Sequence, residues 1–112
     1  MKAAPYIPDR GDIIWLDFTP QRGREQAGRR PALVLSPRNF NKVTQLAICC
    51  PVTSKVKGYS FEVVVQSKKI SGAVLSDQVR SIDWAARQAQ FIDKLAPHLL
   101  AQVQGKLKAI LF

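Results

Sequence analysis

One segment of the sequence concentrates residues that could act on a phosphate group. The stretch RGREQAGRRP at 22–31 places a single carboxylate, Glu25, among four arginines: Arg22, Arg24, Arg29 and Arg30. Guanidinium groups bind phosphate oxygens in a bidentate geometry, and their charge favours the ionised form of a nearby carboxylate. Glu25 is therefore either an ion-pair partner that keeps the arginine loop ordered or a proton acceptor beside a bound phosphate.

A proton acceptor in this setting would suit the cleavage of RNA by its own 2′-hydroxyl. The nucleophile then belongs to the substrate, and the protein supplies a base, a proton donor and stabilisation of charge at phosphorus. Active sites that depend on histidine are excluded, because the chain has one histidine, His98, and it follows Pro97 at a predicted helix start. The chain has neither a plausible Ser/His/Asp triad nor the two histidines of a pancreatic-type ribonuclease.

The two cysteines, Cys49 and Cys50, are adjacent in the sequence. Neighbouring residues of a strand point to opposite faces, so a disulfide between these two is not expected. With one histidine they also give no ligand spacing for structural zinc. We predict two buried free thiols, no metal site and no cofactor.

The charge balance indicates a polyanionic partner. The chain has 17 Lys and Arg against 8 Asp and Glu, for a net charge of +9. Such a field attracts nucleic acid, an anionic membrane surface or an acidic protein. The positive residues are spread over several loops, which suits a folded cationic groove better than a basic tail; besides the arginine loop they include Lys55, Lys57, Lys68 and Lys69.

Length and composition predict one globular domain over residues 1–112. Apolar residues make up 46% of the 112 and charged residues 22%, as in ordinary folded domains. No apolar run approaches the roughly 20 residues of a membrane-spanning helix, and the first residues lack the apolar stretch of a signal peptide. Without a disulfide framework, the expected compartment is the cytoplasm.

The elements that must position these residues are mainly strands. β-Branched, aliphatic and aromatic runs bounded by turn residues predict strands at 12–18, 31–36, 45–52, 61–66 and 72–79, with a turn and a short last strand within 80–92. Pro51 suggests the edge or the end of its strand. Apolar residues spaced by three and four after Pro97 predict a helix. We therefore expect a small β-barrel or sheet closed by a C-terminal helix, with a long hairpin-type loop before Pro31.

The sequence resembles the MazF/PemK/Kid toxins of bacterial toxin–antitoxin modules. The resemblance rests on collinear motifs along nearly the whole chain: PDRGDIIWLDF at 8–18, EQAGRRP at 25–31, PALVLSP at 31–37, PVTS at 51–54, KGYSFEV at 57–63 and DQVRSIDW at 77–84. It implies an SH3-like barrel with a terminal helix, a homodimer, and an acidic MazE-like antitoxin as partner. It further implies a metal-independent endoribonuclease that cuts single-stranded RNA at chosen sequences and leaves a 2′,3′-cyclic phosphate and a 5′-hydroxyl.

The resemblance also implies roles for individual residues. Glu25 matches the proposed general base, and Thr53 matches the threonine that contacts the scissile phosphate. Arg30 matches an arginine assigned as proton donor or phosphate clamp, and the clamp is favoured because a guanidinium is a poor proton donor. Arg29 stands where some relatives have a histidine, so we expect it at most to bind RNA.

Further residues are expected to hold the RNA chain. Asp77 and Gln78 lie in a segment that resembles the family's base-reading strand. Their side chains can bond the edges of unpaired bases, so we expect them to contact bases. The expected backbone contacts come from Arg22, Arg24, Arg29, Lys57, Arg80 and Arg87. Phe18, Trp15 and Trp84 could stack on bases, although for the two tryptophans we expect a place in the core instead. Two other functions remain open at this point: a CcdB-like toxin that binds DNA gyrase without catalysis, and a nucleic-acid-binding barrel without chemistry.

Overall fold

The computed structural model describes residues 5–18 and 28–112, and it consists of an antiparallel sheet with two helices. The strands are β1 (Asp12–Asp17), β2 (Arg29–Val34), β3 (Leu46–Thr53), β4 (Glu62–Gln66), β5 (Ser71–Leu75), β6 (Arg80–Asp83) and β7 (Gln90–Lys94). Helix α1 spans Arg38–Thr44 and helix α2 spans Pro97–Leu111. The strands follow the order β4-β5-β3-β2-β1-β7, and β6 pairs with β3 beside β5. The predicted class, a mainly β fold with a small SH3-like barrel and a C-terminal helix, is confirmed: the antiparallel sheet curls into a half-barrel beside α2.

Strand β3 is the centre of the sheet, which contradicts the edge position suggested by Pro51. One side of β3 pairs with β2, while its other side pairs first with β6, through Cys49, and then with β5, from Val52 onward. Pro51 lies where the partner strand changes. The N–H that proline lacks therefore coincides with a break in the ladder, where its loss is tolerated.

Alternating residues along the strands fill two cores on opposite faces of the sheet. The first core includes Ile13, Leu33 and Cys50 and is covered by α2 through Val103. The second core includes Ile14, Leu16, Phe18, Ala32, Val34, Ala47, Cys49, Ile82 and Trp84. The strand period of two decides which residue enters which core. Both cysteines are free and buried, as predicted.

Helix α1 was not expected from the sequence. Its only buried residue is polar: Asn41 donates to the carbonyl oxygens of Pro8 at 2.8 Å and Ser36 at 3.0 Å. The Ser36 hydroxyl donates to Asn41 Oδ1, and the indole N–H of Trp84 donates to the Asn41 carbonyl at 3.0 Å. Asn41 thus bonds three other segments, two through its side chain and one through its backbone carbonyl. This polar residue takes the place of an apolar stripe, so the helix has no hydrophobic periodicity to detect.

Helix α2 begins at Pro97 as predicted, with the proline in its first turn. Val103 is buried, whereas Ile110 and Leu111 are about half exposed. The apolar face is therefore used by the sheet only as far as Leu107. In the described residues, no helix is long and apolar enough to cross a membrane.

The region between β5 and α2 differs from the sequence prediction. The strand expected over 72–79 ends at Leu75 and is followed by a 3-10 turn at Ser76–Gln78. The stretch 80–92 holds two strands, β6 and the start of β7, joined by a turn in which Gln88 adopts a positive φ of 56°. Within this turn Ser76 is buried, whereas Asp77 is exposed and Gln78 is partly exposed.

Candidate active site

A groove of about 530 Å³ opens at one end of the second core. Its walls come from the end of β1, the middle of β3, the 3-10 turn and β6, through Phe18, Pro51, Asp77, Gln78, Val79, Arg80 and Ser81. The groove combines an apolar floor with polar walls that include one carboxylate, one amide and one guanidinium. A flat base with hydrogen-bonding edges fits such a lining.

The pairing of β2 with β3 brings two predicted catalytic residues to this end of the sheet. The register of this ladder ends with Ala32 opposite Pro51. Arg30 precedes Ala32 by two residues and Thr53 follows Pro51 by two, so the strand period of two sets both side chains on the face that Ala32 and Pro51 share. Arg30 is half-buried and pairs with Leu16 of β1. A guanidinium and a hydroxyl therefore share one face of the sheet, just beyond the end of the β2–β3 ladder whose Pro51 lines the groove.

The hydroxyl of Thr53 is held in place by its surroundings. The residue is 6% exposed and closes the β3–β5 ladder opposite Ala73. Its Oγ1 accepts the backbone N–H of Lys55 at 3.1 Å. Because that bond uses the oxygen as an acceptor, the hydroxyl proton can be donated to a phosphate oxygen.

Lys57 lies in the exposed loop between β3 and β4, and that loop is organised by a residue whose role the sequence did not reveal. From its place in the strand pattern at 61–66, the simplest prediction for Glu62 is a solvent-facing position. Its carboxylate instead accepts the backbone N–H groups of Gly58 at 2.9 Å and of Lys57 at 3.1 Å. Gly58 has φ near 80°, a conformation that glycine adopts without steric cost. The clue in the sequence is the spacing K-G-Y-S-F-E, which suits a carboxylate that closes a short turn.

The two ends of the arginine loop are fixed to the turn between β6 and β7. Phe18 N–H donates to the Gly28 carbonyl at 2.9 Å, which closes the base of the loop. Arg29 Nη2 donates to the Gln88 carbonyl at 2.8 Å, and Arg87 Nη1 donates to the Asp17 carbonyl at 2.9 Å. Glu25, Arg22 and Arg24 lie outside the described residues, which stop at Phe18 and resume at Gly28.

The residues expected to contact RNA fall into two groups. Asp77, Gln78 and Arg80 line the groove together. The pKa of the Cys50 thiol is raised to about 12. Burial is the main cause, and the negative charge of Asp77 is the second. Arg29 and Arg87 lie at the loop ends, where their guanidinium groups already bond protein carbonyls. Their contacts with RNA stay predictions.

The three aromatic residues considered for stacking have different environments. Phe18 and Trp84 are buried in the second core, with exposures of 1% and 8%. Both rings pack in that core and Phe18 also borders the groove, so base stacking by either residue stays a prediction. Trp15 was expected in the core but is 37% exposed. Within residues 5–18 and 28–112, no group of three or more His, Cys, Asp or Glu side chains could hold a metal ion.

Comparison with known proteins places this geometry in a family. Residues 9–111 match the family of PemK-like, MazF-like toxins of type II toxin-antitoxin systems. The chain is 46% identical over 106 residues to the endoribonuclease toxin MazF of Escherichia coli K12, covering 95% of this chain and 96% of that one. It is 33% identical to the Escherichia coli endoribonuclease PemK, over 92% of this chain and 81% of that one.

Solved structures agree with the sequence comparison. MazF of Deinococcus radiodurans superimposes with a TM-score of 0.92 at 52% identity, covering 96% of this chain and 98% of the other. A MazE–MazF structure from the same organism gives a TM-score of 0.85 at 47% identity, covering 96% and 97%. The chain belongs to the PemK-like, MazF-like toxins of type II toxin–antitoxin systems.

Proposed function

We propose that this chain is the toxin of a bacterial toxin–antitoxin module and acts as an endoribonuclease on single-stranded RNA. Relatives at 46% and 33% identity are named endoribonucleases, and the match extends over nearly the whole of each chain. The observation that carries the proposal is that Arg30 and Thr53 each lie two residues beyond the Ala32–Pro51 pair, on the same face of the sheet and next to the groove that Pro51 lines. A phosphate bound there meets a guanidinium and a hydroxyl at the same time.

The proposed reaction is a transesterification within the RNA. The 2′-oxygen forms a bond to phosphorus while the bond from phosphorus to the 5′-oxygen breaks. Glu25 takes the proton of the 2′-hydroxyl, and the departing 5′-oxygen takes a proton from water to become a 5′-hydroxyl; Glu25 then releases its proton to the solvent. The products are a 2′,3′-cyclic phosphate and a 5′-hydroxyl, and the step needs no metal because the nucleophile is part of the substrate.

Arg30 and Thr53 are assigned to the charge that develops on the phosphoryl oxygens. Arg30 binds two of these oxygens in a bidentate manner, and Thr53 donates its hydroxyl proton to one. The bond from Lys55 N–H to Thr53 Oγ1 orients that hydroxyl before the substrate arrives. Fixed donors of this kind stabilise a transition state without reorganisation, which is where their catalytic value lies.

The groove beside this pair is assigned to the recognition of bases. Gln78 can both donate and accept, and the Asp77 carboxylate accepts from amino or imino N–H groups of an unpaired base. Arg80, Lys57, Arg87 and the arginine loop are assigned to the RNA backbone. The net charge of +9 supports this division, since most of the affinity for RNA then comes from phosphates.

We further propose that the chain forms one toxin domain over residues 1–112 and works in the cytoplasm as a homodimer. Its inhibitor would be an acidic antitoxin, in line with the relatives solved together with MazE. An acidic, partly disordered segment can cover a cationic groove and order on binding. The homodimer is tested by the molar mass of the purified protein in light scattering.

The central experiment is cleavage of a defined single-stranded RNA by the purified protein in the presence of EDTA. We expect cuts at selected sequences, with ends that carry a 2′,3′-cyclic phosphate and a 5′-hydroxyl. An RNA with 2′-deoxyribose at the cleaved position should resist, because it lacks the nucleophile. A protein that leaves all RNA intact but inhibits DNA supercoiling by gyrase would overturn the proposal in favour of the CcdB-like function.

A further inference from the structure

The backbone of β5 approaches Thr53 more closely at Gly72 than any other residue type would allow. A β-carbon built on Gly72 would lie 2.2 Å from the carbonyl oxygen of Thr53 and 3.0 Å from its carbonyl carbon. Even attractive C–H···O contacts keep carbon and oxygen about 3.3 Å apart. A side chain at position 72 would therefore displace Thr53 by about 1 Å.

The contact lies at a point where Thr53 has few other restraints on that side. The β3–β5 ladder has only two pairs, Val52 with Val74 and Thr53 with Ala73. Gly72 is the next residue of β5, buried between this ladder end and Val65 of β4. The close approach of Gly72 thus determines how near the end of β3 can come to β5.

We propose that Gly72 is a positioning residue for catalysis, which acts by setting the location of Thr53 relative to Arg30. This inference rests on the proposed function, in which Thr53 donates to the scissile phosphate. The end of β3 that holds Thr53 lies between two neighbours: β2, whose Arg30 shares the face of Thr53 just beyond the Ala32–Pro51 pair, and β5, which Gly72 lets approach. A shift of Thr53 away from β5 changes the spacing of the two phosphate-binding groups without removing either one.

The expected signature is a loss of turnover with RNA binding preserved. Displacement of a reacting or orienting group by about 1 Å can lower a rate on the order of 100-fold. For Gly72→Ala we therefore expect kcat to fall by about 100-fold while KM, set mainly by phosphate contacts elsewhere, stays within about threefold. Backbone amide exchange at Lys55 should also accelerate, because its N–H donates to Thr53 Oγ1.

Stability must be separated from positioning, and the chain offers matched variants for that. Gly105 lies in α2 with no atom within 4 Å of an added β-carbon, so Gly105→Ala stabilises the helix by about 1 kcal/mol. Gly72→Ala is measured in this stabilised background. Val103→Ala is the control for destabilisation, since Val103 is fully buried in the first core and is not among the residues that line the groove. It should lower Tm and leave kcat unchanged.

The test is a double-mutant cycle of Gly72→Ala with Thr53→Ala. If Gly72 acts through Thr53, its substitution adds little once the Thr53 hydroxyl is gone. Ala73→Gly is the second variant: it loosens β5 opposite Thr53 and should also lower kcat, by a smaller factor. A wild-type kcat in Gly72→Ala overturns the inference. If Gly72→Ala does not fold, a wild-type kcat in Ala73→Gly overturns it instead. Additive effects of Gly72→Ala and Thr53→Ala in the cycle also overturn it. These outcomes differ from failure of the proposed function, in which the unsubstituted protein does not cleave RNA.

Discussion

Arg87 and Asp17 hold each other through two backbone-directed hydrogen bonds. Asp17 N–H donates to the Arg87 carbonyl at 3.1 Å, and Arg87 Nη1 donates to the Asp17 carbonyl at 2.9 Å. The pair joins the end of β1, where the arginine loop begins, to the turn that precedes β7. An arginine that we expect to contact RNA is thus also part of the scaffold.

This double role predicts a contrast between Arg87 and Lys57. Arg87→Ala should weaken RNA binding and also lower the free energy of unfolding by about 1 kcal/mol, because the Asp17 carbonyl loses its donor. Lys57→Ala should weaken RNA binding alone, since the loop is held by backbone N–H groups that donate to Glu62. Denaturant unfolding and RNA titration of both variants check this. Equal stability of the two variants would contradict the scaffold role of Arg87.

The catalytic assignment predicts that three substitutions remove activity without unfolding the protein. Glu25→Ala, Arg30→Ala and Thr53→Ala should each reduce the cleavage rate at least about 100-fold, because each removes a group that acts on one phosphate. Thr53→Ser keeps the hydroxyl that Lys55 N–H orients, so it should retain much of the rate. Circular dichroism and single-turnover cleavage are the measurements. An Arg30→Ala protein that cleaves at the unsubstituted rate would refute the role of Arg30.

The sequence predicted most of the strands and helix α2, but it did not predict helix α1 or strand β6. β1 was predicted over 12–18 and is observed at Asp12–Asp17, because its alternating apolar residues enter two cores. Helix α1 escaped prediction because Asn41, not an apolar residue, is its buried anchor. Long-range partners decide such cases, and local residue types do not encode them.

The site shows the same division between local and long-range information. Arg30 and Thr53 lie 23 residues apart in the sequence and were named from separate motifs, and only the β2–β3 pairing brings their strand ends together on one face of the sheet. The approach of Gly72 to the Thr53 carbonyl has no sequence signal, since a glycine in a strand pattern is compatible with several causes. The strand pattern alone places Glu62 on a solvent face. Its bonds to the loop join residues across a turn, and the strand pattern does not show them.

Binding of RNA should weaken with salt in a way that separates backbone contacts from base contacts. For a cleavage-inactive variant, log K should fall linearly with log salt, and loss of one phosphate contact should reduce the slope by about 0.7. Lys57→Ala and Arg80→Ala should reduce the slope in this manner. Gln78→Ala should leave the slope unchanged and alter the preferred cleavage sequence instead. An unaltered cleavage pattern in Gln78→Ala would count against base reading by this residue.

The buried thiols predict a loss of stability at alkaline pH. Burial raises the pKa of Cys49 and of Cys50 from 9.0 to about 12. Above pH 9 the thiols ionise in the unfolded chain but stay protonated in the folded one. The unfolded state then binds fewer protons, so the free energy of unfolding falls as pH rises from 9 to 12, by at most about 1 kcal/mol per pH unit for each thiol. Denaturant unfolding at several pH values should show this fall, and Cys49→Ala/Cys50→Ala should reduce it. Identical slopes in both proteins would contradict the assignment.

The last prediction concerns the antitoxin, and it follows from charge and groove together. A surface that holds an RNA backbone also suits an acidic peptide, and both ligands would need the same cations. We expect the C-terminal region of an acidic antitoxin to lie across the groove and to contact Arg22, Arg24, Arg29 and Lys57. It should displace RNA competitively from a Glu25→Ala toxin, and high salt should slow its association more than its dissociation. Lys57→Ala should then weaken the binding of RNA and of the antitoxin alike. Val103→Ala, at the buried residue of α2, should weaken the binding of neither. A titration that finds RNA and antitoxin bound together at undiminished affinity would show that the antitoxin uses another face of the toxin.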